Sequence, residues 1–393
     1  MKTIKIKKIV IDQGLENHEL TKEIRHKLAH VPIQLIKSND SNPFNNISIK
    51  EGKSVLYISS YKGQFCKACP GTSIHYICCN YQIINEMSGC PMDCAYCILQ
   101  SYRNSRTLTV YVNYEQIFNE IDALIESYPQ RIIRIGTGEL ADSLALEGIT
   151  GLTDRLLPYF KARGNVFFEV KTKSCNINYL TKYNQQLENV VFSLSVNPDQ
   201  VIEKYEFKTD CFAARLEAAR KAQDLGFKLA FHFDPIIYHH NWRENYSQII
   251  TQLFNQIDSQ KIVWISMGGL RFPTELRDIM YERFPKINLI RDEQIIGLDQ
   301  KIRYFKPLRL EMFKHVYSQI RQHSADVFVY FCMESKDVWQ RTMGFSPESS
   351  NHLDYLFAES LYRRFPEMNL PRPELEYYLS LPSKHQHELQ QSI

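Results

Sequence analysis

Between Tyr81 and Met267 six short apolar segments alternate with five amphipathic ones, and this alternation restricts the fold more than any other feature. The apolar segments are "YQIINEM", "RIIRIGT", "VFFEVKT", "VVFSLSV", "FKLAFHFDP" and "KIVWISM". Helical patterns fall between them, near Tyr114–Tyr128, Leu152–Ala162, Ile177–Tyr183 and Cys211–Leu225, and along "ENYSQIITQLFNQI". Apolar strands separated by such helices predict a parallel sheet covered on both faces. That sheet is either doubly wound or curled into a barrel. No G-x-G-x-x-G opens the first helix, which counts against dinucleotide binding. Polar residues able to do chemistry recur just after strand ends: Cys90–Cys97, Glu139, Lys173, Ser195, His232 and Asp234. A barrel gathers its strand ends at one mouth, so the expected fold is α/β, an incomplete (βα)6 TIM-type barrel open on one side.

The barrel pattern occupies residues 81–290. Residues 1–80 read as a small N-terminal α/β lead-in, with strands at Ile4–Ile11, Ile33–Ile36 and Val55–Ile58 and a helix at His18–Ala29. The polar segment "SNDSNPFNN" is expected as a loop between them. Residues 291–393 read as a mixed C-terminal extension, with a helix near Leu310–Ile320 and an apolar strand "VFVYFCM". An apolar fraction of 44% with 23% charged residues is ordinary for a soluble enzyme. Nothing resembles a membrane span. The start, "MKTIKIKKIVID", alternates basic and β-branched residues where a signal peptide would need an unbroken apolar core. A cytoplasmic chain without a membrane partner is therefore expected. The net charge of +3 leaves a nucleic-acid partner open without requiring one. None of these features speaks to oligomeric state.

Ten cysteines in a reducing compartment point to metal binding or catalysis more than to disulfides. Seven of them (Cys66, Cys69, Cys78, Cys79, Cys90, Cys94 and Cys97) fall within 32 residues. In "SGCPMDCAYCILQSY" three stand as C-x3-C-x2-C. Zinc would need a fourth N or S ligand, which the Cys66–Cys69 pair could supply. Three thiolates on one loop also suit three irons of a [4Fe–4S] cube, leaving the fourth iron for a substrate or cofactor. Adjacent Cys78 and Cys79 point opposite ways on a strand and read as packing thiols or a hydrogen donor near the cluster. Cys332 reads first as core, and His239 with His240 as structural loop residues.

With Tyr96 directly before its last cysteine, this loop resembles that of the radical S-adenosylmethionine (SAM) superfamily. From about Cys66 to Met333 the chain resembles the spore photoproduct lyase family. The segments that carry the likeness are "GCPMDCAYCILQSY", "FSLSVNPDQVIEKYE", "RLEAARKAQDLGFKLAFHFDPIIYHHNWRENY" and "KIRYF". The resemblance implies a [4Fe–4S] cluster on Cys90, Cys94 and Cys97 that binds SAM and cleaves it reductively. An electron donor such as flavodoxin or ferredoxin is then required. It further implies that Glu139 takes the methionine ammonium, that Lys173 partners the SAM carboxylate, that Ser195 contacts SAM, and that Tyr96 belongs to the catalytic site.

The implied substrate is DNA carrying an ultraviolet-induced thymine–thymine lesion, with Arg303 and Tyr304 matching the family's DNA-contacting pair. Lys301, Lys306, Arg309 and Phe305 surround that pair, a mixture suited to gripping phosphates and stacking on bases. Two positions depart from the family. Its hydrogen-donating cysteine follows the second barrel strand, whereas "GTGELADSL" holds none and Glu139 stands in that place. Ile98 replaces the aromatic after the third cluster cysteine. The rival readings are radical SAM modification of RNA or of a protein side chain, and a zinc-stapled nucleic-acid-binding protein without catalysis.

Overall fold

The computed structural model describes residues 4–37, 44, 47–70, 73–102, 105–183 and 187–382. Of the polar loop expected over 38–46, all but Phe44 lies outside them. The larger sheet has eight strands. Seven are parallel and follow chain order, each beside the next: Gln82–Ile84, Ile133–Gly136, Val166–Thr172, Val190–Ser195, Lys228–Ile236, Ile262–Gly269 and Phe328–Phe331. Cys66–Ala68 pairs antiparallel on the outer edge of the first. The sheet curls as a half-barrel without closing, and the segments flanking its first and last parallel strands meet at a single antiparallel bridge, Ile77–Glu334.

The middle strands form where they do because both their faces are covered. All of Val190–Ser195 is buried, as is Val166–Thr172 apart from the half-buried Lys171. Helices Gln116–Ser127, Leu152–Lys161, Phe212–Asp224 and Trp242–Gln256 lay apolar stripes over them. Leu152, Leu156, Leu157 and Phe160 form one such stripe. Phe160 stacks on Phe168 of the third strand with ring centres 4.0 Å apart. Burying each such ring contributes roughly 1.5–3 kcal/mol, and truncating Phe160 to Ala would cost about 3–5 kcal/mol.

Six parallel strands were expected and seven are present. The seventh is "VFVYFCM", expected in the C-terminal extension. It pairs with Ile262–Gly269, and Phe331 packs between Phe313 and Trp339. An antiparallel unit of Arg271–Pro273, Gln294–Ile296 and Lys301–Tyr304 is inserted between the sixth and seventh strands.

The lead-in builds a second sheet in the order Ile33–Ile36, Lys8–Asp12, Val55–Ser59, Leu108–Tyr111 and Met87–Ser88. Its last two strands come from beyond residue 80. They bracket the cysteine loop, so the lead-in holds both ends of that loop. Among the described residues no helix is long and apolar enough to cross a membrane.

Candidate active site at the open end of the half-barrel

Gly89 turns the chain into the cysteine loop at φ 104°, a conformation that costs a side-chain-bearing residue strain. Asp93–Cys94 then pairs antiparallel with Glu206–Phe207, placing Cys94 opposite Glu206. The Ala95 N–H donates to the Tyr205 carbonyl at 2.7 Å. Asp93 is held by Lys53 at 3.0 Å and Arg283 at 2.8 Å. Gln100 Nε2 donates to the carbonyls of Cys94 (3.1 Å) and Ala95 (2.8 Å). Lead-in, barrel and the Thr274–Arg283 helix thus grip one short loop.

Cys94 is buried, while Cys90 and Cys97 are partly exposed and line one narrow crevice. Burial pushes the Cys90 thiol up to about 12, with the Asp142 charge adding to it. Burial also lifts Cys94 well above its ordinary value. Cys94 feels both other thiols, and Cys90 feels Cys97. Three soft donors from one loop, close enough to interact, fit a cluster that takes up thiolates as it displaces their protons. Among the described residues no three His, Cys, Asp or Glu side chains converge as a single-ion site requires.

Behind the loop lies a buried charged network. Tyr96 donates its phenol to Glu206 Oε1, which also accepts from Lys173 Nζ at 3.1 Å and Asn197 Nδ2 at 2.9 Å. Glu206 Oε2 pairs with Arg215 Nη2 at 2.6 Å. Arg215 also donates to the carbonyls of Ser195 and Asp210, each at 2.8 Å. Burial works against the Glu206 carboxylate, yet Lys173 and Arg215 hold its pKa well below the usual range. Burial and the Glu206 charge push the Tyr96 phenol well up, so it stays protonated and donates.

The expected residues fall in different places. Lys173 joins Tyr96 in this network, with Nζ 3.4 Å from the phenol oxygen. Ser195 is buried at the end of the fourth strand. Glu139 is exposed after Gly138, and its charge reaches Lys171. His232 lies deeper, with Nε2 2.7 Å from Glu169 Oε1 and Nδ1 2.6 Å from Ser266 Oγ. Burial and Lys171 lower the His232 pKa, leaving the imidazole neutral. Asp234 pairs with Arg271 at 3.1 Å. Cys332, expected as core, is only partly buried and sits 3.2 Å from Arg271 Nη2. His239 bonds the Ile237 carbonyl at 2.8 Å, a loop-holding role. Glu206, Arg215 and Asn197 received no role from the sequence, although all three stand in the segments that carry the family likeness.

Arg303 and Tyr304 are not the exposed pair that their composition suggested. They are 2% and 3% exposed. Asp299 draws the Arg303 guanidinium inward, and the Tyr76 ring stacks against it at 4.7 Å. The Tyr304 hydroxyl accepts the Tyr238 N–H at 3.2 Å. The antiparallel unit instead exposes two large apolar side chains at its tip: Ile296 is 60% and Leu298 64% exposed.

A half-barrel of parallel strands with three cysteines on the loop after its first strand is the arrangement of a radical SAM enzyme. The family profile for spore photoproduct lyase matches residues 77–336, and the chain belongs to that family. Enzymes of this family use a [4Fe–4S] cluster and SAM. Two curated relatives bear the name spore photoproduct lyase. The one from Geobacillus sp. (strain Y412MC61) is 28% identical over 235 residues, covering 58% of this chain and 66% of the relative. The one from Bacillus subtilis (strain 168) is 24% identical over 329 residues, covering 80% of this chain and 91% of the relative. A solved spore photoproduct lyase variant with bound AdoMet and dinucleoside spore photoproduct shares the fold at TM-score 0.73 and 22% identity, covering 84% of this chain and 100% of that one.

Proposed function

We propose that this chain cleaves SAM reductively and uses the resulting radical to repair an ultraviolet-type pyrimidine lesion in DNA. The observation that carries the reading is the three-cysteine loop fastened, through Cys94 and Tyr96, to the Glu206 network at the open end of the half-barrel. We read the sheet as an incomplete (βα)6 barrel lengthened by a seventh strand, in a chain organised as 1–80, 81–290 and 291–393. Ten free thiols suit a cytoplasmic enzyme. When bound, the cluster and SAM supply a 5′-deoxyadenosyl radical.

The chain's own residues provide holding and orientation. Cys90, Cys94 and Cys97 hold the cluster. Glu139 offers an exposed carboxylate to the SAM ammonium. Lys173 can turn an N–H toward the SAM carboxylate, because Arg215 continues to balance Glu206. Ser195 closes the wall beside them, and Tyr96 fixes the position of Lys173. On the DNA side, the Ile296–Leu298 tip enters the distorted site as an apolar wedge. Arg303 stands behind it, enclosed by Asp299 and Tyr76, and braces the strand that carries the tip against the DNA. Tyr304 supports the same strand.

Anaerobic reconstitution tests the reading. The protein should take up about four irons per chain and release methionine from SAM with dithionite. Lesions in irradiated DNA should decline with turnover. Zinc in place of iron would sink the enzyme, and SAM cleavage that leaves lesions untouched would move the substrate to RNA or a protein side chain. Glu139→Gln should weaken SAM binding by about 1.5–3 kcal/mol at unchanged iron content.

A further inference from the structure

Five lysines line a cleft of about 630 Å³ between the lead-in and the cysteine loop: Lys5, Lys7, Lys50, Lys53 and Lys208. One acid faces them, Glu51, and its Oε2 is already turned to the Ser48 N–H (3.1 Å) and hydroxyl (2.6 Å) at the start of its own helix. Lys53 is tied to Asp93. Among the described residues Lys5, Lys7, Lys50 and Lys208 have no ion pair, and all four are exposed. The floor of the cleft includes Pro91 and Met92, which stand between Cys90 and Cys94. Lys53 lines both this cleft and the crevice that holds Cys90 and Cys97. The positive depression and the crevice of two of the three thiols therefore share a wall at Lys53.

We propose that this cleft docks an acidic one-electron carrier protein that reduces the cluster, an inference that rests on the radical SAM reading of the loop. Each encounter passes one electron, so the carrier is oxidised by one and the cluster reduced by one, and no atoms are exchanged. The lining favours a protein over nucleic acid. Among the described residues it contains no arginine fork for a phosphate and no aromatic ring for a base. Unpaired lysines on flexible stems suit a diffuse acidic face, where complementarity raises the rate of encounter more than it tightens the complex. The cleft also borders the loop that must receive the electron, whereas the apolar tip proposed for DNA belongs to the insertion before the seventh strand.

The test uses the full chain, with and without its cluster, and photoreduced flavodoxin as the probe. The quadruple variant Lys5→Glu, Lys7→Glu, Lys50→Glu, Lys208→Glu should bind flavodoxin at least about tenfold more weakly at low salt in both forms. Flavodoxin-driven cluster reduction should slow by a similar factor and lose its salt dependence. Dithionite-driven SAM cleavage should be unchanged, and the matching Lys→Arg variant should keep the flavodoxin rate. Equal flavodoxin affinity in wild type and the Glu variant would overturn the proposal. So would loss of duplex DNA binding with flavodoxin affinity intact, which would give the cleft to nucleic acid. Slowed dithionite turnover would overturn it as well, by making the lysines part of the loop's own support. A wild-type chain that takes up no iron would instead sink the radical SAM reading, while binding by the cluster-free chain would still decide the docking site.

Discussion

Cys94 and Glu206 face each other across a two-residue antiparallel pair, 112 positions apart in the chain. Glu206 spans the loop on two levels: its backbone aligns Cys94, and its carboxylate gathers Tyr96, Lys173, Asn197 and Arg215. Replacing it by Gln should leave Arg215 buried without a counter-charge and cost about 3–5 kcal/mol in urea unfolding of the apo chain. Tyr96→Phe removes one charge-assisted hydrogen bond and should cost about 1.5–3 kcal/mol. Because the Glu206 carboxyl is held below its ordinary value, its stabilisation is complete above about pH 4.5 and fades as the solution is acidified further. A Gln variant as stable as wild type at neutral pH would show that the network is dispensable.

Cys90→Ala, Cys94→Ala and Cys97→Ala should each reduce iron from about four per chain towards zero and abolish SAM cleavage. Cys66 lies on the antiparallel edge strand, and Cys66→Ala should keep both. Iron analysis beside methionine release decides it. Loss of iron in the Cys66 variant would mean that the ligand set is wrong.

Glu86 is buried immediately before the cysteine loop, and burial, reinforced by the Glu147 charge, raises its pKa to about 8. The folded chain prefers it protonated. The Glu86 contribution to stability is therefore greatest below about pH 4.5 and is lost as pH climbs towards about 8, by on the order of 5 kcal/mol in all. Glu86→Gln should flatten that slope, so that variant and wild type converge in acid and the variant gains in alkali. Urea midpoints that run parallel from about pH 5 to about pH 9 would place the titration elsewhere.

The insertion before the seventh strand predicts opposite results for its tip and its base. Ile296→Asp and Leu298→Asp alter exposed positions and should leave unfolding within about 0.5 kcal/mol of wild type. They should weaken binding to lesion-bearing duplex. Arg303→Ala strands the buried Asp299 carboxylate and should destabilise by about 3–5 kcal/mol. Unchanged DNA affinity in both tip variants would remove the insertion from the substrate site.

Much of the half-barrel was legible because Val166–Thr172 and Val190–Ser195 open on unbroken apolar runs, VFF and VVF, as strands covered on both faces do. The seventh strand was equally apolar, but the 58 residues between Gly269 and Phe328 hid its membership of the sheet. Leu108–Tyr111 escaped notice for a related reason, since its partner strand is Val55–Ser59, on the far side of the cysteine loop. The cysteine spacing was plain from the residues. The Glu206 network was not, because Tyr96 and Glu206 meet from 110 positions apart and neither carries a local pattern. Arg303 misled for the opposite reason. A run of cations looks solvated until the acid and the ring that enclose it, Asp299 and Tyr76, are seen in place.

The insertion is anchored at its base, where Arg271 pairs with Asp234 and Arg283 with Asp93 of the cysteine loop, whereas Ile296 and Leu298 at its tip are exposed. Lengthening a loop such as its Ile296–Lys301 tip costs only about 0.6 kcal/mol per doubling of loop length, and no parallel strand need shift register to accommodate it. Descendants of this chain could therefore exchange one tip for another without disturbing Cys90, Cys94 or Cys97. Choice of substrate and supply of radical can then diverge at separate evolutionary tempos within a single polypeptide.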